Sequence, residues 1–171
     1  MPVMDWTEHM DRQISNKKEM SILEFGIGDG TEYLLDNFKF VFSHELQVDA
    51  NWYNIIASRL ASRTNWEHKL VLWHEIGFED YNPNIPKALT DDIDALFDKY
   101  RFDAVFIDGG YHIRGDIANY ILHKHKPTFV IIHDITIAFE EDGYGRIDKP
   151  EEYAYEEFHT GEGTGIFYKI P

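Results

Sequence analysis

Five short runs of uninterrupted apolar character constrain this chain more than any other feature. They are Ser21-Ile22-Leu23-Glu24-Phe25, Phe40-Val41-Phe42, Leu70-Val71-Leu72-Trp73, Ala104-Val105-Phe106-Ile107 and Phe129-Val130-Ile131-Ile132. A strand with one face in water alternates apolar and polar residues, so runs that do not alternate read as strands buried on both faces, as in the centre of a parallel sheet. Segments of helical period lie between them. Trp52, Ile55, Ile56 and Leu60 form a stripe behind Asp49, a good N-cap; Leu89, Ile93, Leu96, Phe97 and Tyr100 form a second; Ile113, Ile117, Tyr120 and Ile121 form a third. Strand alternating with helix predicts an α/β fold with a mostly parallel sheet and helices on both faces.

The two ends depart from this alternation. Residues 4–18 place Trp6, Met10 and Ile14 four apart, which predicts an N-terminal helix lying on the sheet. After Asp134 the pattern loosens. The acidic run Glu140-Glu141-Asp142 reads as solvated surface, and residues 136–150 are placed to serve as a lid beyond the fifth strand. Tyr153-Ala154-Tyr155-Glu156-Glu157-Phe158 and Gly165-Ile166-Phe167-Tyr168-Lys169-Ile170, joined by a glycine-rich turn, then predict an antiparallel hairpin ending the sheet. No repeat or linker divides the chain, so residues 1–171 are expected to form a single domain.

Charge and composition exclude several partners. A formal net charge of −15 repels duplex nucleic acid and anionic membrane surfaces. The densest basic stretches, Lys17-Lys18 and His123-Lys124-His125-Lys126, do not amount to a basic patch, and the second complements a helix C-terminus. The chain has no cysteine and therefore no disulfide. No apolar run approaches the roughly 18 residues of a membrane span. The start, MPVMDWTEHMDR, carries acids where a signal peptide needs a basic and then an apolar stretch. A soluble, cytoplasmic protein without a membrane partner is the expectation.

The sharpest local signal is Ile22-Leu23-Glu24-Phe25-Gly26-Ile27-Gly28-Asp29-Gly30-Thr31, a buried strand running into a glycine turn and then a helix expected to begin near Thr31. Glycines there permit positive φ and let a ligand approach the backbone closely. The next strand is predicted to end at Glu45, 19 residues past Gly26, where a carboxylate can accept hydrogen bonds from both hydroxyls of a ribose. Together these describe an adenosine-cofactor site. The glycine spacing is G-x-G-x-G rather than the dinucleotide G-x-G-x-x-G, with Thr31 where the last glycine would stand, and no Gly-Lys-Ser/Thr follows for a phosphate-cradling loop. Glu24, just before the turn, suits a cationic ligand, such as an ammonium beside a sulfonium, better than a pyrophosphate.

At Glu24-Phe25-Gly26-Ile27-Gly28-Asp29-Gly30 the chain resembles the first motif of the class I S-adenosylmethionine-dependent methyltransferases, and Ser43-His44-Glu45 resembles their ribose-binding strand end. The resemblance spans nearly the whole chain, terminal hairpin included. It implies a Rossmann-like three-layer sandwich and S-adenosylmethionine as cofactor, with Glu24, Gly26, Gly28, Asp29, Gly30, Thr31 and Glu45 around it. It also implies that Leu46 and the turn at His74-Glu75-Ile76 flank the adenine.

A second constellation ends the fourth and fifth strands, at Asp108-Gly109-Gly110-Tyr111-His112 and His133-Asp134. Ligands of open α/β sheets bind beyond the carboxyl ends of the strands, so topology should gather these side chains. Asp108 and His112 are the candidate bases for an acceptor proton; His133 and Asp134 are candidates to orient or polarise the acceptor. Each also has a bland role, Asp108 as a turn cap and His133 as a core histidine. The region further resembles small methyltransferase-like proteins and, more distantly, metal-dependent O-methyltransferases, which hold magnesium with an Asp after strand four and an Asp-Asn pair after strand five. Asp108 and Asp134 match, but Ile135 stands at the Asn position and supplies no ligand, so no metal is expected unless His133 or His112 completes a site for a softer ion. The target-base loop of amino-group DNA methylases is missing, and without cysteine the cytosine-C5 mechanism is impossible. The leading expectation is methyl transfer to a small molecule at a hydroxyl. The alternative is a non-catalytic cofactor-binding protein, a sensor or a subunit needing a partner. A chain of this size has no separate acceptor domain, so recognition falls to loops, the N-terminal helix or a second copy in a homo-oligomer.

Overall fold

A computed structural model describes residues 5–78 and 84–171. The predicted strands all form: β1 Ser21–Phe25, β2 Phe40–Gln47, β3 Trp66–Leu72, β4 Ala104–Ile107 and β5 Phe129–His133, followed by the hairpin β6 Tyr153–Phe158 and β7 Thr164–Lys169. Their order across one sheet is β3-β2-β1-β4-β5-β7-β6. β1 to β5 pair in parallel, and β7 runs antiparallel to both β5 and β6. The sheet therefore reverses its winding between β1 and β4, which is where open α/β sheets place a ligand crevice.

The helices are α1 Asp5–Gln13, α2 Asp29–Asn37, α3 Asn51–Arg59, α4 Lys87–Lys99 and α5 Arg114–Lys124. Alternation along β1 sends Ile22 to one face, with α1 to α3, and Leu23 and Phe25 to the other, with α4 and α5. On the first face Trp6, Met10 and Ile14 are fully enclosed, Trp6 lying against Phe106 with ring centroids 4.6 Å apart. On the second, Leu89, Ile93 and Leu96 of α4 meet Ile113, Ile117 and Ile121 from the start and body of α5.

Four expectations change. α2 begins at Asp29, two residues before the predicted Thr31, because the extended Gly28 starts the helix and the Thr31 hydroxyl turns back to accept the Gly28 N–H at 3.0 Å. In the α3 stripe only Ile56 and Leu60 enter the core; Trp52 and Ile55 are 43% and 59% exposed, and the Trp52 indole donates to the Ile27 carbonyl at 2.6 Å. Asp142, read as solvated, is buried. The rim opposite the ligand crevice gathers Lys99, Arg101, Lys126 and Lys169 around a cavity of about 540 Å³, a basic cluster drawn from separated segments and interleaved with Asp98 and Asp103. Among the described residues, no helix is long and apolar enough to cross a membrane.

Candidate active site

At the switch point the turn after β1 and the turn after β4 touch. Gly26 has φ +98°, and a Cβ added there would lie 2.8 Å from the Gly109 nitrogen; one added at Gly109 would lie 2.6 Å from the Gly26 Cα. Neither position tolerates a side chain without parting the strands. Backbone hydrogen bonds lock the contact, Gly26 N–H to the His44 carbonyl at 3.0 Å and Asp108 N–H to the Phe25 carbonyl at 2.9 Å. The glycine turn and Asp108 are thereby fixed relative to one another, and both face one cavity of about 520 Å³.

The half of this cavity next to β1 and β2 is lined by Glu24, Gly26, Gly28, Asp29, Gly30, Glu45 and Leu46. Glu24 is fully buried and held by hydroxyls, the Thr31 Oγ1 donating at 2.9 Å and Ser43 donating from β2, itself anchored by the Trp66 indole at 2.8 Å. Burial pushes the Glu24 carboxyl up to about 8, the two hydroxyls opposing and the negative charge of Glu45 and Asp108 adding. Glu45 accepts the Ile27 N–H, and burial pushes it up to about 7. Neither carboxyl has a cationic partner within 4 Å among the described residues. Thr31 supports the cavity from behind without lining it.

The half next to β4 and β5 has the opposite character. Asp108 faces the cavity from the end of β4, with its side chain about one-third exposed. His133, at the end of β5, reaches Asp108 and Asp134 with Nδ1 at 3.1 and 3.2 Å, and Asp5 of α1 with Nε2 at 3.4 Å. Burial works against its charge, but the surrounding carboxylates, Asp108 foremost, push its pKa up to about 9. Arg114, the first residue of α5, places Nη1 2.6 Å from Asp134 and 3.4 Å from both Asp108 and Asp142. Asp134 holds the left-handed conformation at φ +65°, a strained position that short polar residues tolerate. The hairpin turn closes this end, Glu162 donating its backbone N–H to Asp5 at 3.0 Å and placing its carboxylate 4.0 Å from His133.

Of the residues the sequence singled out, Asp108 and His133 line the cavity beside the glycine turn, and Asp134 stands behind them. His112 lies outside it, with Nδ1 3.1 Å from the Glu141 carbonyl. Glu75 and Ile76 lie in a different, 180 Å³ cavity with Leu89 and Asp92, where Glu75 accepts the Leu72 N–H at 3.0 Å. Residues 136–150, read as a lid, contribute nothing to the cavity lining; they pack on α5, Asp142 accepting the Gly115 N–H at 2.8 Å and Arg146 reaching Asp116 at 2.6 Å. Sequence reasoning missed Asp5, Gln47, Trp52, Tyr111, Arg114 and Glu162 as cavity residues. Only Trp52 carried a signal, as an aromatic at the start of the helix after the ribose-side strand.

No protein-family model matches the chain, and no curated protein matches it in sequence. Solved structures do match its shape. A ribosomal RNA methylase from Streptococcus thermophilus superposes with a TM-score of 0.65 at 14% identity, covering 100% of this chain and 99% of that one. A Podospora anserina methyltransferase bound to S-adenosylhomocysteine gives 0.61 at 10% identity, covering 100% and 80%. The methyltransferase domain of a bacterial Hen1 gives 0.58 at 10% identity, covering 94% and 96%. The fold is a Rossmann-like sandwich whose parallel sheet ends in an antiparallel hairpin, and it is shared with these methyltransferase structures.

Proposed function

We propose that the protein binds S-adenosylmethionine in the glycine-turn half of the cleft and transfers its methyl group to a small molecule, at a hydroxyl, in the other half. The carrying observation is that one 520 Å³ cavity joins uncompensated buried carboxyls on the β1 side to Asp108 on the β4 side. The volume falls within the roughly 300–1,000 Å³ usual for small-molecule sites.

The fit to the cofactor rests on chemistry. Two buried carboxyls without a cationic partner favour a ligand that brings positive charge and hydroxyl donors. Glu45, two residues before the end of β2, would accept ribose hydroxyls while its bond to the Ile27 N–H pins the turn. Glu24 gives up its proton when a cation arrives. The bound cofactor supplies a methyl group already activated by its sulfonium. The chain's own contribution is positioning and proton removal. Asp108 is the candidate base, because it faces the cavity between Arg114 and His133. His133, whose pKa the neighbouring carboxylates raise, steadies Asp108 and orients the acceptor with Asp134 behind it.

The acceptor half also argues for what the substrate is. Asp5, Asp108 and Glu162 face it or its rim, which disfavours a phosphate backbone even though structural neighbours include ribosomal RNA methylases. A neutral or cationic small molecule suits it. Calorimetry with S-adenosylmethionine and S-adenosylhomocysteine is the first test, and absence of binding at millimolar concentration overturns the reading. Binding without turnover over a broad acceptor panel, unaffected by Asp108→Asn, would replace it with the cofactor-binding, non-catalytic alternative.

A further inference from the structure

Behind the cleft, atoms of Asp108, His133 and Asp134 that could bind a metal lie within 4.8 Å of one another, and Asp142 closes the group from the segment after β5. Hard divalent cations take such oxygen-rich sets. A cation of the chain itself already stands among these aspartates. A single atom, Arg114 Nη1, lies 2.6 Å from Asp134 Oδ2 and 3.4 Å from Asp108 Oδ1 and Asp142 Oδ2. We propose that Arg114 is the built-in substitute for a divalent cation at this rim, a positioning residue that keeps the carboxylates together and Asp108 facing the cleft without any metal.

Two independent features carry this. A metal drawn to Asp108 and Asp134 would compete with Nη1, which already lies within 3.4 Å of an oxygen of each and of Asp142. The guanidinium would then be left among buried groups without its acids, a costly separation. The second feature is the packing that delivers Asp142. Gly115, next to Arg114, has its missing Cβ position only 2.0 Å from the Gly143 carbonyl oxygen, so the 142–144 backbone lies directly on the start of α5. The Gly115 N–H bonds the Asp142 carbonyl at 2.8 Å in the same contact. Any side chain at Gly115 would lift Asp142 away from Arg114. Residue 115 and residue 142 are thus fitted to Arg114, and Ile135, which offers a metal nothing, is consistent with a rim that has no use for one.

Only the catalytic consequence, methyl transfer indifferent to chelators, rests on the function proposed above; the metal-binding test is done on ligand-free protein, so a failure to bind cofactor leaves it intact. Mn2+ alone is the probe, titrated into wild type, Arg114→Ala and Arg114→Lys, with bound metal read from the loss of the free-ion paramagnetic resonance signal and folding read by thermal melting. Wild type and Arg114→Lys should bind no Mn2+ at micromolar concentration and melt identically with and without chelator. Arg114→Ala should melt lower, bind one Mn2+ per chain at least about tenfold more tightly than wild type, and regain melting temperature when it does. Rescue by lysine separates a requirement for charge at this point from mere packing. Stoichiometric Mn2+ on the wild type, or a folded Arg114→Ala that binds none, overturns the proposal. If Arg114→Ala is recovered unfolded, refolding with Mn2+ decides: recovery of the native spectrum supports the proposal, and failure with and without metal overturns it.

Discussion

Both halves of the cleft are built around acidic side chains, glutamates in one and aspartates in the other, and they differ in the cations that stand beside them. On the β1 side, Glu24 and Glu45 are buried with no cation within 4 Å among the described residues, and burial pushes both well above the ordinary carboxyl range. On the β4 side, Asp108, Asp134 and Asp142 surround Arg114 and His133. On the proposed function, the first half would take its positive charge from a ligand, whereas the second has Arg114 and His133 beside its acids already. That would separate a binding half from a preorganised half.

The largest effect should come from breaking the preorganised half. Removing one partner of a buried ionic cluster leaves the others uncompensated, at a cost of about 3–5 kcal/mol. Arg114→Ala should lose stability on that scale in urea unfolding, and adding Asp142→Asn, which deletes one of the stranded carboxylates, should return part of it. Equal stability of wild type and Arg114→Ala would mean that the acceptor half is no more organised than its neighbour.

Next in size is the binding half. Glu45→Gln keeps the side-chain shape and one acceptor but loses charge-assisted hydrogen bonding to the ribose, worth about 1.5–3 kcal/mol. Calorimetry should record roughly a ten- to hundredfold loss of S-adenosylmethionine affinity. Asp108→Asn, on the other half, should leave that affinity nearly unchanged while turnover falls. If the two variants exchange these effects, the assignment of the halves is reversed.

The halves also predict different pH windows. Between the ordinary carboxyl value of 4.5 and about 8, an unfolded chain has released the Glu24 proton while the folded chain keeps it, so stability from this group falls as pH rises through that range. His133, raised to about 9 from 6.5, contributes stability that is complete below 6.5 and is lost as pH rises through 9. Glu24→Gln should flatten the lower window and His133→Asn the upper one. Cofactor binding should run the other way, tightening as pH rises toward 8 and releasing protons from Glu24 and Glu45, as measured by calorimetry at neutral pH in buffers of different ionisation enthalpy.

How far the sequence revealed these halves follows from how locally each is encoded. Glu24 and Glu45 sit on two consecutive buried strands with the glycines in the turn and helix start after the first; the apolar runs mark those strands, although β2 runs on to Gln47, two residues past the predicted end at Glu45. The hairpin was legible for the same reason, two β-rich runs around a glycine turn. Arg114 was not, because its three carboxylates come from the ends of β4 and β5 and from a loop 28 residues after Arg114 itself, and no spacing links them. Asp142 was hidden inside a run of acids that elsewhere faces water. Periodicity at α3 identifies an apolar face without saying what covers it, and here only Ile56 and Leu60 of that face enter the core.

The smallest predicted effect concerns the residues that the family resemblance put beside the adenine. Glu75 and Ile76 belong to the short turn Trp73–Glu75 and its end, and they lie between β3 and α4 in a cavity separate from the cleft. The Glu75 carboxylate is engaged with the Leu72 N–H at 3.0 Å, the job of a local cap, which is worth about 0.5–2 kcal/mol to the turn. The cleft's own lining on that side is Leu46, Gln47 and Tyr111, with the Tyr111 hydroxyl 3.2 Å from the Gln47 side chain. Glu75→Ala should therefore cost a little stability and change S-adenosylmethionine affinity by less than about twofold, under 0.5 kcal/mol. Gln47→Ala, which strips one wall of the cleft, should weaken binding more. A Glu75→Ala variant that loses tenfold or more in affinity while Gln47→Ala does not would extend the binding half past β3, and the turn after that strand would have to close over the adenine when ligand binds.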